Sequence, residues 1–242
     1  RLDGAKTSRK VVHFMINKDT AGDEIVKKLG AAAARGVKVQ VVLEDSVDDN
    51  LGRVTELAAL GVSARLDEKT LYPHAKLVVA DGARALFGSS NFSWSSMYKN
   101  NEANVLVTDP ALVKFFEGFA DAVYKSPASH PSLTPASTSL GTAMDDGDYY
   151  ARAYPMISGA KKTITMVTYG MNLDPKYPDS ELFKLAKEMD KAVKRGVTVR
   201  VILEQADYNA SVNALNKAAA KDLKSRGLKV RRDHLERITH AK

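Results

Sequence analysis

Short apolar runs alternate with segments of helical spacing in the first part of the chain. Residues 11–16 form one such run and residues 37–43 are rich in β-branched side chains, so both segments predict strands. Residues 21–34 and 51–60 repeat their apolar positions at helical spacing, and a glycine follows each within two residues, which is a common signal for the end of a helix. Strands that alternate with helices in this way predict an α/β fold.

A third helix and a polar stretch follow. The pair Asp109-Pro110 predicts a helix start, with Asp109 as the N-cap and Pro110 in the first turn. The apolar face of this helix comprises Leu112, Phe115, Phe116, Phe119 and Val123. Residues 126–142 are rich in Ser, Thr, Pro and Ala, and we interpret them as a linker or a surface loop.

An internal repeat organises the whole chain. Residues 35–44 align with residues 195–204, and seven of these ten positions are identical. Residues 61–76 align with residues 227–242, and both segments end in His-Ala-Lys. The interval is too long for a solenoid, so it predicts two fused half-domains. We expect a first repeat over 1–125, a linker over 126–146 and a second repeat over 147–242.

The first copy places polar residues around a predicted β-hairpin. Apolar residues 77–79 lead to an Asp-Gly turn at Asp81, the strongest short hairpin signal, and a second apolar run returns. Because residues two apart on a strand share a face, His74 and Lys76 point the same way. Residues 88–91 read Gly-Ser-Ser-Asn and could present hydrogen-bond donors to an anion.

These residues resemble the His-x-Lys-x4-Asp-x6-Gly-x2-Asn signature of the phospholipase D superfamily. The first copy matches every position of that signature, at His74, Lys76, Asp81, Gly88 and Asn91. The duplicated α/β unit is also the architecture of that family. The resemblance therefore implies two homologous α/β/α sandwich halves related by a pseudo-twofold axis.

The resemblance also implies a chemistry. His74 would meet His240 of the second copy around one phosphate, and one histidine would form a phosphohistidine intermediate while the other protonates the leaving oxygen. We interpret His74 as the nucleophile and His240 as the acid. Lys76 and Lys242 would neutralise the non-bridging oxygens, and Asn91 would donate a hydrogen bond. This scheme implies a metal-independent hydrolase or transferase.

Further roles come from the same resemblance. An acidic residue in the position of Glu102 commonly hydrogen-bonds the motif histidine in this family, so we expect that role for Glu102. Ser89 and Ser90 are the usual small polar residues of the substrate-binding loop. Asp81 belongs to the catalytic motif, but we expect it to support the site rather than to transfer protons.

The second copy stops at His240-Ala241-Lys242, before the Asp, Gly and Asn of the motif. We expect a missing C-terminal segment to complete the second half, and we expect a chain ending at Lys242 to be unstable without it. No cofactor is expected, because the sequence has no cysteine and no His/Asp/Glu cluster at ligand spacing. His13, His130 and His234 lie outside the motif, and His234, the nearest in sequence, is interpreted as a surface residue.

The charge of the chain indicates what kind of partner it binds. The 242 residues carry a net charge of +7, and most of the excess lies in the second half. Lys217, Lys221 and Lys224 share one face of a predicted helix. A basic half indicates an anionic partner, such as a membrane surface or nucleic acid. No apolar run approaches the roughly 20 residues of a membrane span, so we expect a soluble protein in an undetermined compartment, secreted or cytoplasmic.

Three functions fit these observations. The first is a phospholipase D-type phosphodiesterase that acts on phospholipid head groups. The second is a nuclease of the same superfamily, because the Asn-Phe-Ser after Gly-Ser-Ser and the segment Asn-Asn-Glu-Ala-Asn-Val look like the small nuclease branch. The third is a non-catalytic member that keeps the fold and binds anions.

Overall fold

A computed structural model describes residues 4–68, 73–126, 128–129 and 131–241 of the chain. The chain divides into two compact units, Arg1–Asp146 and Gly147–Lys242. Within the described ranges, no helix is both long enough and apolar enough to cross a bilayer.

The first unit contains six strands of one sheet and four helices. The strands are β1 (Ser8–His13), β2 (Lys38–Leu43), β3 (Ser63–Leu66), β4 (Lys76–Ala80), β5 (Arg84–Gly88) and β6 (Asn104–Val107). The helices are α1 (Thr20–Ala34), α2 (Asp48–Ala59), α3 (Trp94–Tyr98) and α4 (Pro110–Lys125). The strand order is β3-β2-β1-β4-β5-β6; β1 to β3 are parallel, and β4 runs antiparallel to β1 and β5.

Helices cover both faces of this sheet. Because side chains alternate along a strand, Val11 of β1 packs with α1 and α2, while Val12 packs with α4. Asp109 caps α4 by accepting hydrogen bonds from the amides of Ala111 and Leu112, as the Asp-Pro pair predicts. The first unit is therefore an α/β/α sandwich, which confirms the predicted α/β class.

The stretch predicted as a linker or surface loop contains regular structure. A small hairpin forms from β7 (Ala136–Thr138) and β8 (Gly141–Ala143), and it pairs in antiparallel fashion. Ala143 packs in one cluster with Leu112 and Phe115 of α4. Small residues allow this close packing, so a Ser/Thr/Ala-rich composition is compatible with a short hairpin as well as with a loop.

The second unit repeats the first half of the first unit. Its elements are α5 (Tyr149–Gly159), β9 (Thr163–Thr168), α6 (Glu181–Lys194), β10 (Thr198–Leu203), α7 (Ala210–Ser225) and β11 (Lys229–Arg232). The three strands are parallel in the order β11-β10-β9, which corresponds to β3-β2-β1. Val199, Val201 and Leu203 of β10 pack in one core with the buried faces of α6 and α7.

The helices that precede the repeated strands end in the same way in both units. Gly36 and Gly196 follow α1 and α6, and their φ angles are +86° and +88°. Glycine adopts this left-handed region without a steric penalty, so the chain can turn directly from each helix into the next buried strand. The Arg-Gly pair is thus a structural part of the repeat.

Candidate active site

The first site lies at the end of the β1–β4 pairing, where the motif residues precede β4. The backbone N–H of Phe14 donates to Ala75 O at 3.1 Å, which continues the pairing beyond β4 to the motif residues. Lys76 Nζ lies 3.2 Å from His74 Nδ1 and donates to His74 O at 2.7 Å. The imidazole and the ammonium lie side by side, as the two-residue spacing predicts.

The aromatic ring of Phe14 packs against both side chains of this pair. The Phe14 ring lies 4.6 Å from the His74 ring, and Lys76 Nζ lies 4.7 Å from the centre of the Phe14 ring. Lys76 is only 6% exposed. A cation in such surroundings is poorly screened by water, so its field on a neighbouring anion is stronger than at an exposed site.

His13 is a neighbour that the sequence analysis missed. It lies opposite Lys76 in the β1–β4 register and stacks on Phe92 with ring centres 3.8 Å apart. Its Nδ1 lies 3.0 Å from Met15 O. Burial and the charge of Lys76 lower the pKa of His13 to about 3, so the ring stays neutral. The sequence places His13 outside the motif, and only the strand pairing brings it to the site.

The loop after β5 is held by Glu102 and its neighbours. Ser89 Oγ donates to Glu102 Oε2 at 2.5 Å, and Asn100 Nδ2 donates to Glu102 Oε1 at 3.1 Å. Ser89 is buried, and its Oγ also accepts a hydrogen bond from the amide of Ala103. These hydrogen bonds tie the Ser89 hydroxyl to the loop itself, and the substrate-binding role expected of Ser89 stays a prediction. The role of Glu102 toward His74 stays a prediction.

The other loop residues are more accessible. Ser90 Oγ accepts a hydrogen bond from Asn104 Nδ2 at 2.8 Å. Asn91 Oδ1 is buried and has no hydrogen-bond partner among the described residues. A Cβ atom at Gly88 would overlap Asn104 and the carbonyl of Ala103, so the motif glycine is required by the close approach of β6.

Asp81 lies at the far end of β4 from His74. Its Oδ1 accepts hydrogen bonds from the amides of Lys6, Thr7 and Ser8 at 2.8–3.0 Å. Burial opposes ionisation, but these hydrogen bonds outweigh it and hold the pKa of Asp81 far below its usual range. Six residues lie between His74 and Asp81, and the seven steps of nearly extended chain span roughly 20 Å. Asp81 therefore anchors β1 to the hairpin and does not touch the reacting groups.

An aromatic residue also packs against the motif histidine of the second unit. The Tyr169 ring lies edge-on to His240 at 5.2 Å, and the amide of Tyr169 donates to Ala241 O at 3.1 Å. Phe14 makes the same two contacts with His74 and Ala75 in the first unit. Lys242 lies outside the described residues, as does His130. His234 is exposed, as predicted.

Two buried asparagines also correspond between the units, and the sequence analysis missed them. Asn50 Nδ2 donates to Phe14 O and Glu44 O at 2.9 and 2.7 Å. Asn216 Nδ2 donates to Tyr169 O and Glu204 O at 2.8 and 2.9 Å. The same interval separates Asn50 from Asn216 and His74 from His240, so extending the repeat alignment by single residues would have found this pair.

The structure brings together three carboxylates that the sequence analysis did not place near one another. Glu44, Asp45 and Asp67 each offer an oxygen within 4.8 Å of the others, although the sequence shows no cluster at ligand spacing. Burial and the nearby Glu44 raise the pKa of Asp67 to about 6. Buried carboxyl groups this close can bind a cation or share a proton, and the raised pKa favours a shared proton. We assign no metal to this cluster.

The comparison with known families agrees with the motif. A family model described as a cardiolipin synthase, PLD-like domain, matches residues 1–122 and 154–242, which is most of the chain. The chain belongs to the phospholipase D superfamily. This superfamily membership extends to both units, including the second with its His240-Ala241-Lys242 ending.

Individual relatives within the superfamily match parts of the chain. A mitochondrial cardiolipin hydrolase of Xenopus tropicalis is 33% identical over 81 residues, covering 33% of this chain and 38% of that protein. Its Xenopus laevis counterpart is 31% identical over 114 residues, covering 47% and 52%. The chain thus spans about half or less of these relatives. Phosphatidylserine synthase of Haemophilus influenzae has the same fold, with a TM-score of 0.71 and 14% identity over 100% of this chain and 71% of that one.

Proposed function

We propose that this phospholipase D superfamily member cleaves or transfers phosphodiesters through His74, and that its substrates are phospholipid head groups. The observation that carries the proposal is the contact between His74 and the buried ammonium of Lys76. A nucleophile beside a poorly screened cation suits an anionic phosphate centre. The relatives named as cardiolipin hydrolases support a phospholipid rather than another phosphodiester.

The reaction proceeds in two displacements. In the first, a ring nitrogen of His74 attacks phosphorus, the phosphorus–nitrogen bond forms, and the bond to the leaving oxygen breaks as His240 donates a proton to that oxygen. In the second, His240 takes a proton from water or an alcohol, whose oxygen attacks phosphorus and releases His74. Histidine suits both roles because its unperturbed pKa, about 6.5, lies near physiological pH.

Other residues stabilise charge in these steps. Lys76 neutralises the non-bridging oxygens, and Lys242 takes the same role for the second motif. Asn91 donates a hydrogen bond to a phosphate oxygen, and Glu102 orients His74 while Ser89 and Asn100 hold Glu102 in place. The scheme uses no metal ion.

Replacing His74 tests the nucleophile. We expect His74→Ala to lower turnover by a factor of about 1000 or more, because the variant loses the nitrogen that forms the covalent intermediate in this scheme. The assay uses vesicles of cardiolipin or phosphatidylcholine and, separately, single-stranded DNA, all with EDTA present. His234→Ala is the matched control, because the His234 side chain is 80% exposed and outside the motif; this variant should keep full turnover.

Each component of the proposal fails on a different result. Cleavage of single-stranded DNA but not of lipid would overturn the substrate class and establish the nuclease alternative. Activity that EDTA abolishes and zinc or magnesium restores would overturn the metal-independent scheme. Phosphate binding without turnover on any substrate would identify a non-catalytic member. Turnover that persists in His74→Ala would reassign the nucleophile.

A further inference from the structure

A buried glutamate and a half-buried aspartate meet at one backbone amide in the second unit. Glu204 follows β10 and Asp233 follows β11, so the parallel strands bring the two residues to the same edge of the sheet. The amide of Thr239 donates to Glu204 Oε2 at 2.5 Å and to Asp233 Oδ2 at 3.1 Å. Both Glu204 and Thr239 are buried.

The pair cannot carry two full negative charges at little cost. Two carboxylates that share a site repel each other, so one of them retains its proton to a higher pH. Burial and the hydrogen bond with Asp233 raise the pKa of Glu204 to about 7. Tyr208 donates to Glu204 Oε1 at 3.4 Å, and the amide of Gln205 donates to Asp233 Oδ1 at 2.6 Å. Burial and a hydrogen bond with Tyr169 raise the pKa of Tyr208, so its hydroxyl stays neutral. Asn216 of α7 donates to the backbone carbonyl of Glu204.

The amide held by this pair belongs to the residue directly before His240. On the other side of His240, Ala241 O accepts a hydrogen bond from the amide of Tyr169. The backbone is therefore fixed on both sides of the motif histidine, at Thr239 and at Ala241.

We propose that Glu204 and Asp233 act as positioning residues, which together hold the Thr239 amide and thereby fix His240 for proton transfer. The inference rests on the proposed function, in which His240 is the acid. Below about pH 7 Glu204 retains its proton and is a neutral acceptor. As pH rises through about 7 Glu204 becomes charged, and a charged acceptor holds the Thr239 amide more strongly.

The first unit supplies a built-in comparison. Glu44 and Asp67 correspond to Glu204 and Asp233 in the repeat, but Pro73 takes the position of Thr239. Proline has no amide hydrogen, so the first carboxyl pair cannot hold the residue before His74 in this way. Glu44→Gln is therefore the matched control for Glu204→Gln.

The direct test follows the Thr239 amide proton by NMR in the full protein. In the wild type we expect the Thr239 amide to move downfield and to gain protection relative to its intrinsic exchange rate as pH rises through about 7, because charged Glu204 is the stronger acceptor. Glu204→Gln should keep a neutral acceptor at this position and so remove this pH dependence. Glu204→Ala should lose at least 10-fold in exchange protection, and Glu44→Gln should behave like the wild type.

Kinetics separates positioning from a general loss of stability. At pH 6 we expect Glu204→Ala to lower kcat by about 10- to 100-fold with little change in KM, since a small displacement of a catalytic group has effects of this size. Glu204→Gln should retain kcat at pH 6.

The outcomes distinguish this inference from the proposed function. A Thr239 amide in Glu204→Gln that still moves as pH rises through 7, or a Glu44→Gln variant that abolishes the movement, would overturn the hold of Glu204 on this amide. If Glu204→Ala does not fold, Glu204→Gln and Asp233→Asn still give the amide measurement. A protein without turnover on any phosphodiester would overturn the proposed function, while the amide would still report on the carboxyl pair.

Discussion

At the scale of single residues, Asp81 explains why a motif includes a side chain far from the reacting atoms. Its φ angle is +55°, a left-handed value that Asp and Asn tolerate better than most residues. Its carboxylate accepts from the amides of Lys6, Thr7 and Ser8 at the start of β1 and thereby ties that strand to the turn of the hairpin. Because Phe14 directly follows β1 and His74 shortly precedes β4, this contact helps to set the register of the site.

Asp81→Asn isolates the charge of that anchor, since Asn also tolerates the left-handed backbone. We expect the variant to lose about 1–2 kcal/mol of stability at pH 7, because hydrogen bonds to a charged acceptor become neutral ones. The folded pKa of Asp81 lies below its unfolded value, so its contribution is complete above about pH 5 and is lost as pH falls below about 4. Urea unfolding at pH 7 and pH 3 measures both values.

The wild type and Asp81→Asn should therefore converge at acidic pH. A stability difference of the same size at pH 3 and pH 7 would show that the Asp81 charge is not what anchors β1. At each pH the stability of Asp81→Asn is compared with that of the wild type, so the general effect of acid on the protein cancels.

Residues close in sequence were predictable, and residues brought together by strand pairing were not. The proximity of His74 to Lys76 follows from their two-residue spacing. His13 reaches Lys76 only because β1 pairs antiparallel with β4, and that pairing spans more than 60 residues of chain. Local patterns contain no information on such long-range register, so the aromatic neighbour Phe14 was missed for the same reason.

At the scale of elements, Asn216 joins a helix to two strand ends. It lies on the buried face of α7, donates to Tyr169 O and Glu204 O, and accepts from the amide of Met171 at 2.9 Å. Tyr169 follows β9 and Glu204 follows β10. One side chain thus fixes the ends of both strands against the helix, next to the backbone around His240.

Asn216→Ala should destabilise the second unit strongly. The change removes the hydrogen bonds of Asn216 to three backbone groups, two of them buried, and we expect a loss of about 2–4 kcal/mol. Ser211→Ala, at an exposed position in the first turn of the same helix, is the control and should stay within about 0.5 kcal/mol of the wild type. Thermal or urea unfolding followed by circular dichroism measures both. Equal stabilities of the two variants would show that Asn216 does not join these elements.

The order of helices and strands was largely predictable, and the exceptions have physical causes. Buried parallel strands such as β2 and β10 are continuous apolar runs, and their helices end in glycine signals, so local sequence suffices. The β7–β8 hairpin was interpreted as a linker or surface loop because its short strands contain few large side chains. Its packing depends on Ala143 meeting the apolar face of α4, which composition alone does not show.

At the scale of the whole molecule, part of the excess positive charge lies on the exposed face of α7. Lys217, Lys221 and Lys224 are all exposed on α7, while Ala220 and Leu223 of the same helix are buried. The structure thus confirms that the three lysines share the outer face of one helix. An anionic membrane attracts such lysines with about 1 kcal/mol each near its surface.

Reversing two of these charges tests the contact. We expect Lys217→Glu combined with Lys221→Glu to weaken binding to anionic vesicles by at least about 10-fold. Turnover of a small soluble phosphodiester should stay unchanged. Lys27→Glu combined with Lys38→Glu changes the net charge equally at exposed positions of the first unit and is the control. Sedimentation with vesicles measures binding.

Two results would contradict this account of α7. Equal weakening by both double variants would mean that only the net charge matters. A parallel fall in turnover of the small substrate would mean that the α7 lysines belong to the active site or support the fold.

The difference between Pro73 and Thr239 has a consequence for how the duplicated halves can diverge. In the first half the proline ring restricts the backbone before His74, so mutational drift at Glu44 and Asp67 leaves that backbone untouched. In the second half the backbone before His240 depends on the acids, so purifying selection should act jointly on positions 204, 233 and 239. A lineage that acquires proline at 239 would release the two acids from that selection, and the order of substitutions in this half is therefore constrained.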